Sequence, residues 1–282
     1  MTICVSVKVA EGLVLAADSA VMLTGIEQTP NGPMETIIQT FNFANKVTHF
    51  KDYPIGVLNW GLGSINARSI QSLIMEFEYT YQSKEDKGAY TVREVADDLL
   101  AFIKARYDAA FPIPPAATPP AATPAPERPA LGFLLGGYSH GEFFADEFSY
   151  EFPNSADWEI VTPNQPDGSP AFGVHWFGMT DALIRLMLGF DAQAMEELVR
   201  RGADINIVRQ WMMDRVSALP IIFDGMPLQD AIDFAEYVVQ VVIGRFRFGQ
   251  GPPLCGGDVD IAVVTPDAFR WAQRKQWGIH HE

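Results

Sequence analysis

Residues 2–18, TICVSVKVAEGLVLAAD, constrain this chain more than any other stretch. Ile3, Val5, Val7 and Val9 share one parity, and Thr2, Cys4, Ser6 and Lys8 the other, which is the alternation of a strand. Glu11-Gly12 supplies a tight turn, and residues 13–18 return as a mostly apolar strand that ends on Asp18.

The remaining pattern is taken in order. Residues 19–43 carry Gly25, Pro30, Asn31, Gly32 and Pro33, so they read as a long hairpin or loop. Residues 45–50 and 54–60 read as another strand pair, broken by Gly61-Leu62-Gly63. Over 64–82, Ile70, Leu73, Ile74, Phe77 and Tyr81 recur at helical spacing. Thr91 and Glu94 have the spacing of a capping box and open a second helix, with Val95, Leu99, Phe102 and Ile103 on one face.

Residues 130–137 and 142–148 read as a hairpin around Tyr138-Ser139-His140-Gly141, and 158–162 and 171–177 as further strands. Helical pieces fill 181–219, broken at Gly189 and Gly202. A helix follows Pro227 with Ala231, Phe234, Val238, Val241 and Val242 inward. Residues 258–265 close with a strand, and a polar helical tail is expected after it.

Strands, two helices, strands, two or more helices and a strand are satisfied by two packed sheets, each covered by a helix pair. The expected fold is therefore α+β, a four-layer αββα sandwich. Residues 112–129, PIPPAATPPAATPAPERP, favour polyproline II and cannot form a packed core. They are expected to be a surface insertion in a single domain spanning 1–282, because the strands on both sides serve one architecture; a further helical segment is expected at about 190–225.

With 282 residues, 48% hydrophobic and 20% charged, the chain is long enough to bury a sizeable core. A formal charge of −15 argues against nucleic acid or an anionic membrane as partner. Two cysteines make no disulfide framework, which points to a reducing, cytoplasmic compartment. No apolar run spans a bilayer, and the opening stretch lacks the basic start of a signal peptide.

Threonine after an initiator methionine is small enough for Met1 to be removed. A threonine hydroxyl needs a base within reach, and a free α-amine, with a pKa of about 7.7–8.0, supplies one. Thr2 is thus a candidate nucleophile carrying its own base. A nearby ammonium would depress the amine and polarise the hydroxyl. Lys46 is the candidate, since residues 19–45 contain no lysine or arginine. Asp18 is the opposite charge that a buried Lys46 requires, and Gly61, at a strand-to-helix junction, is a candidate oxyanion donor.

Thr2-Ile-Cys-Val-Ser-Val, residues 12–18, Lys46-Val, Trp60-Gly61-Leu62, residues 134–137 and residues 256–264 resemble the proteasome β-subunit family, and its short bacterial members, including the Anbu (ancestral β subunit) type, look closer than a eukaryotic subunit. The likeness covers the chain in order, excluding 19–43, 112–129 and about 190–225, and the sixteen-residue step from Thr2 to Asp18 is similar to the family's own spacing. It implies an N-terminal-nucleophile hydrolase fold and threonine peptidase activity on peptide or unfolded-protein substrates. It also implies assembly of like subunits into a ring or open helix and, by analogy alone, an ATP-dependent unfolding partner. No cofactor or metal is implied. Noncatalytic members of such a family carry an extension over the nucleophile position, whereas only Met1 precedes Thr2 here.

The chain departs from the family where the resemblance expects a serine and an aspartate before the last strand. Cys255 and Pro252 stand there. The serine expected after Gly178 is replaced by Thr180 or Asp181. Two other readings remain open: a weakly active or inactive ring-forming scaffold of the same fold, and a serine hydrolase. The latter would use Ser139 in the G-x-S-x-G stretch 137–141, with His175 as base, although that motif needs a helix after the serine and a strand is expected. His280-His281-Glu282 reads as a frayed tail more readily than as a metal site.

Overall fold

The computed structural model describes residues 2–29, 32–81, 89–113, 128–214 and 218–276. Strands β1 (Ile3–Val9) and β2 (Gly12–Ala17) are followed by a long hairpin, β3 (Val21–Thr29) and β4 (Gly32–Phe41), then β5 (Val47–His49), β6 (Ile55–Gly61), β7 (Ser64–Ile65) and β8 (Arg68–Ser69). Helices α1 (Ile70–Tyr81) and α2 (Val92–Ala110) precede β9 (Leu131–Gly137), β10 (Asp146–Phe152), β11 (Glu159–Ile160) and β12 (Gly173–Gly178). The chain continues through α3 (Asp181–Leu183), a π-helical turn (Ile184–Leu188), α4 (Ala192–Arg200), α5 (Ile205–Met213), α6 (Leu228–Phe248), β13 (Asp260–Thr265) and β14 (Ala268–Gln273).

Two five-stranded sheets form, in the orders β12-β1-β2-β13-β14 and β11-β10-β9-β6-β5. Three apolar clusters show how they stack. Cys4, Leu13 and Leu15 of the first sheet meet Val47, Leu58 and Leu134 of the second. The outer face of the first sheet, with Ile3, Val5 and Val7, packs on Ala235, Val238 and Val242 of α6 and on Leu183 of α3. The outer face of the second, with Val57, Phe133 and Leu135, packs on α1 and α2. The layers run helix, sheet, sheet, helix, as the order of elements predicts.

Because both faces of β1 are covered, its polar parity is buried as completely as its apolar one. Ser6 donates to Glu147 of β10, which also accepts from Thr162 at 2.7 Å. The five residues expected on the inner face of α1 are its buried ones. Both halves of the Thr91–Glu94 capping box form on α2.

Several expectations need correction. The tail after residue 265 is a strand, β14, and not a helix, because Phe269 and Trp271 project at a period of two onto His49 of the other sheet, Phe269 stacking at 4.5 Å between ring centroids. The first helix starts at Ile70 and not at 64, since Asn66 and Ala67 both take positive φ and close the β7–β8 hairpin. Strand β10 starts at Asp146, leaving Phe143 and Phe144 exposed, because the preceding turn is pinned by the His140 amide on the Tyr90 carbonyl (2.9 Å). Pro227 caps α6 from outside, and its carbonyl accepts from the Ala231 amide at 3.1 Å.

Among the described residues, α4 and α5 bury no side chain. Most of the proline-rich segment, 114–127, lies outside the described residues, as does the 280–282 tail. At the segment's near edge the Tyr107 hydroxyl donates to the Pro129 carbonyl at 2.6 Å, and Arg128 pairs with Asp108.

Candidate active site

Asp18 leaves the end of β2 with both carboxylate oxygens engaged. Oδ1 accepts from the Ile3 amide at 3.0 Å and from Lys46 Nζ at 2.6 Å. Oδ2 accepts from the amides of Gly256 at 3.0 Å and Ala20 at 3.3 Å. The side chains of Asp18 and Lys46 are 0% and 4% exposed. A buried ion pair recovers its desolvation cost only when its remaining lone pairs are satisfied, and four donors do that here. Asp18 thereby ties the lysine to Ile3, the first residue of β1 and the neighbour of Thr2.

Lys46 stands just before β5, where its carbonyl accepts from the Asn59 amide at 3.1 Å. Its side chain lines a cleft of about 460 Å³ together with Thr2 and Gly61; Val21, Phe41 and Phe43, from the β3–β4 hairpin and the chain just after it, form an apolar wall. Thr2 is 5% exposed. Its carbonyl accepts from the Met179 amide at 2.8 Å, beyond the end of β12. Gly178 has φ +90°, and a Cβ there would lie 2.1 Å from the Thr2 carbonyl oxygen, so only glycine lets β12 approach this closely.

Gly61 ends β6 at φ +81°, exposed at the cleft, and a Cβ there would come within 2.4 Å of the Ala130 carbonyl. The strand-to-helix junction expected at Gly61 is corrected: β6 ends there, but the β7–β8 hairpin comes between it and α1.

Thr180 lies one residue past the Met179 amide and offers no side-chain cap to α3. Cys255 is buried next to Gly256, and burial foremost, with the Asp18 charge adding to it and Lys46 opposing, pushes its thiol up to about 12. Burial likewise pushes the Cys4 thiol far above its ordinary value. Both thiols stay protonated at neutral pH and are weak nucleophiles. Ser139 is not placed for catalysis: its hydroxyl accepts from the Val92 amide at 3.0 Å at the start of α2, and a strand follows it. His175 lies on the other sheet, opposite Ser6.

The Gly256 amide on Asp18 and the Met179 amide on Thr2 are site contacts that sequence reasoning did not find. Backbone donors carry no side-chain signature; the glycine pair 256–257 and Gly178 were the available signals. Among the described residues there is no group of three or more His, Cys, Asp or Glu able to hold a metal.

No family model matches the sequence, and no curated protein matches it. Among solved structures, the Anbu (Gly-1) mutant from Hyphomicrobium sp. strain MC1 is similar over 100% of this chain and 89% of its own, at 14% identity and a TM-score of 0.50. Anbu (ancestral beta-subunit) from Yersinia bercovieri is similar over 95% and 86%, at 14% identity and a TM-score of 0.48. The first of these likenesses carries the fold: the αββα sandwich is that of the proteins the sequence resembles.

Proposed function

We propose that this chain is an N-terminal-nucleophile hydrolase of the threonine peptidase type, acting on peptide bonds once Met1 has been removed. The observation that carries this reading is the meeting of Thr2, Lys46 and Gly61 in one cleft, with Lys46 locked by Asp18. The α-amine takes the proton of the Thr2 hydroxyl as Oγ1 attacks the scissile carbonyl. The new C–O bond pushes the carbonyl electrons onto oxygen, which the Gly61 N–H would stabilise. Collapse expels the amine, which leaves with the proton held by the α-ammonium, and water then hydrolyses the threonyl ester. General-base help of this kind contributes about 10²–10⁴ in rate. The apolar wall of Val21, Phe41 and Phe43 favours a substrate with an apolar side chain beside the scissile bond.

The formal charge of −15 and the two unbridged cysteines, Cys4 and Cys255, fit a cytoplasmic enzyme; among the described residues no helix is long and apolar enough to cross a membrane. Self-assembly is part of the reading. Helix α5 and the chain beyond it present Ile205, Ile207, Met213 and Leu219 to solvent, an apolar surface that favours contact with like subunits. The same surface would serve a catalytically silent scaffold, which differs in keeping Met1.

Intact-mass measurement and labelling with a threonine-reactive electrophile test the proposal together. The expected result is a chain lacking Met1 that is labelled as wild type and not as Thr2→Ala. A retained Met1 with no labelling would leave the scaffold reading in its place.

A further inference from the structure

Strand β12 is an edge of the first sheet, with β1 as its neighbour. Two hydrogen bonds fix which of its main-chain groups that neighbour uses. The Asp18 amide donates to the Ile3 carbonyl at 3.3 Å, so the odd-numbered residues of β1 turn their main-chain groups to β2. The Met179 amide donates to the Thr2 carbonyl at 2.8 Å, so the even-numbered residues of β1 turn theirs to β12, where Phe177, His175 and Gly173 stand opposite Cys4, Ser6 and Lys8. Val174 and Trp176, opposite Val7 and Val5, therefore aim their N–H and C=O groups away from the sheet. Among the described residues no strand pairs with that side. A groove of about 780 Å³ borders it, within the range of about 300–1,000 Å³ of ligand pockets. Phe172, Val174 and Trp176 line it from the β12 side, and Met187, Ile221 and Phe223 from across it. The Leu219 amide on the Met187 carbonyl, at 3.0 Å, ties the far wall together. A Cβ added to Gly173 would meet nothing within 4 Å.

The geometry points to this open edge as a docking groove for an extended, apolar stretch of the polypeptide substrate, added as a further strand beside β12. The inference rests on the function proposed above. An unpaired strand edge is a template for another chain. Main-chain bonds then supply affinity, and pockets for alternate side chains supply selectivity. In antiparallel pairing, the residues opposite Val174 and Trp176 exchange both main-chain bonds with them and place their side chains on the same face, against Met187, Ile221 and Phe223. Those positions select apolar residues, because the described lining carries no carboxylate, ammonium or guanidinium. The net charge of −15 around the groove turns acidic segments away. A second copy pairing through its own β12 would bring a second wall of residues 218–223 into the same space, whereas a lone extended chain brings none. Strand β12 runs on to Met179, which holds the Thr2 carbonyl, so a chain docked at Trp176 lies about 10 Å along the strand from that contact. A long substrate is thus gripped at a second place near the nucleophile, and a short one is not.

The test measures binding of a fluorescent hexapeptide of alternating valine and threonine to the full-length Thr2→Ala chain by fluorescence anisotropy, so that it does not rely on turnover. Saturable binding is expected. N-methylation of the peptide then removes main-chain donors. Methylating the valine nitrogens, which face β12 in antiparallel pairing, is expected to weaken binding about tenfold or more, and methylating the threonine nitrogens to change it by less than about twofold. Val174→Pro removes one outward donor from the protein and no bond to β1, as proline is tolerated on an edge strand. It is expected to weaken binding about fivefold. With residue 2 intact, Val174→Pro is expected to lower cleavage of carboxymethylated, permanently unfolded lactalbumin about fivefold relative to cleavage of a tetrapeptide amide. No binding, or equal loss from both methylated sets, would overturn the assignment whether or not Val174→Pro folds. A dimer that Val174→Pro splits, with no peptide bound, would give the edge to a second copy and overturn it equally. Peptide bound with the expected parity by a protein whose wild-type form is never labelled at Thr2 would instead overturn the peptidase reading, and with it the naming of the occupant as substrate.

Discussion

Gly256 grips Asp18 and the two residues after it with both of its main-chain groups: its amide donates to Asp18 Oδ2 at 3.0 Å, and its carbonyl accepts from the Ser19 and Ala20 amides at 3.0 and 2.9 Å. The loop before β13 is thereby clamped onto the chain that carries the carboxylate, and the carboxylate onto Lys46. Removing Asp18 strands a buried lysine. Asp18→Ala is expected to cost about 3–5 kcal/mol, the penalty for breaking one side of a buried pair, with urea unfolding as the measurement. An unaltered unfolding midpoint would show that the pair does not hold the two sheets in register.

Thr2→Ala and Lys46→Ala separate chemistry from architecture. Thr2 contributes its backbone to β12 and its side chain to the cleft, so Thr2→Ala is expected to abolish hydrolysis with an unchanged melting temperature. Lys46→Ala is expected to slow labelling of Thr2 by about 10²-fold or more, since a positive charge beside the nucleophile is lost. Labelling of Lys46→Ala at the wild-type rate would move the cation's role to another residue.

Gly178→Ala tests the close approach of β12 to the Thr2 carbonyl. Its positive φ and the 2.1 Å approach leave no room for a methyl group. The expected loss is at least about 1–3 kcal/mol from backbone strain alone, accompanied by reduced Thr2 labelling because β12 must withdraw. Full stability in this variant would mean the strand relaxes without penalty.

His49 gives a pH-dependent signature. Burial against Phe269 and Trp271, with Arg274 adding to it and Glu78 opposing, lowers its pKa below the ordinary value of about 6.5. In acid the unfolded chain takes up that proton before the folded one does. Stability associated with His49 is therefore present above about pH 6.5 and lost as pH falls below it. The expected outcome is that His49→Gln flattens the decline in melting temperature between neutral and mildly acidic pH; parallel curves would refute it.

Replacing residues 114–127 with a short flexible linker is expected to change stability by less than about 1 kcal/mol, because closure entropy varies slowly with loop length. The anchors on either side, Tyr107 on Pro129 and Asp108 on Arg128, remain in such a variant. Loss of folding would instead assign this segment a structural role.

How much was legible follows from the range of each interaction. The β1 alternation, the five inward residues of α1 and the Thr91 capping box are local patterns, and the structure has all three. The alternation did not reveal that Ser6 and Lys8 would be buried, because Glu147 and the second sheet that cover them are supplied from far along the chain. Strand β14 was misread because Arg270 and Gln273 gave it a polar look while its two aromatic residues answered to a histidine on another sheet. In the site, charged side chains announced themselves; the Gly256 and Met179 contacts did not, since both act through main-chain atoms.

The anchoring of Thr2 has a consequence for maturation. What ties this residue to the sheet is its carbonyl on Met179, and the ladder proper begins at Ile3, whose amide is already committed to Asp18. None of these bonds uses the atoms on the methionine side. On the function proposed above, loss of Met1 would free the Thr2 nitrogen while the Thr2 carbonyl and the Ile3 amide keep these bonds, so both forms of the chain would hold Thr2 by the same two main-chain groups.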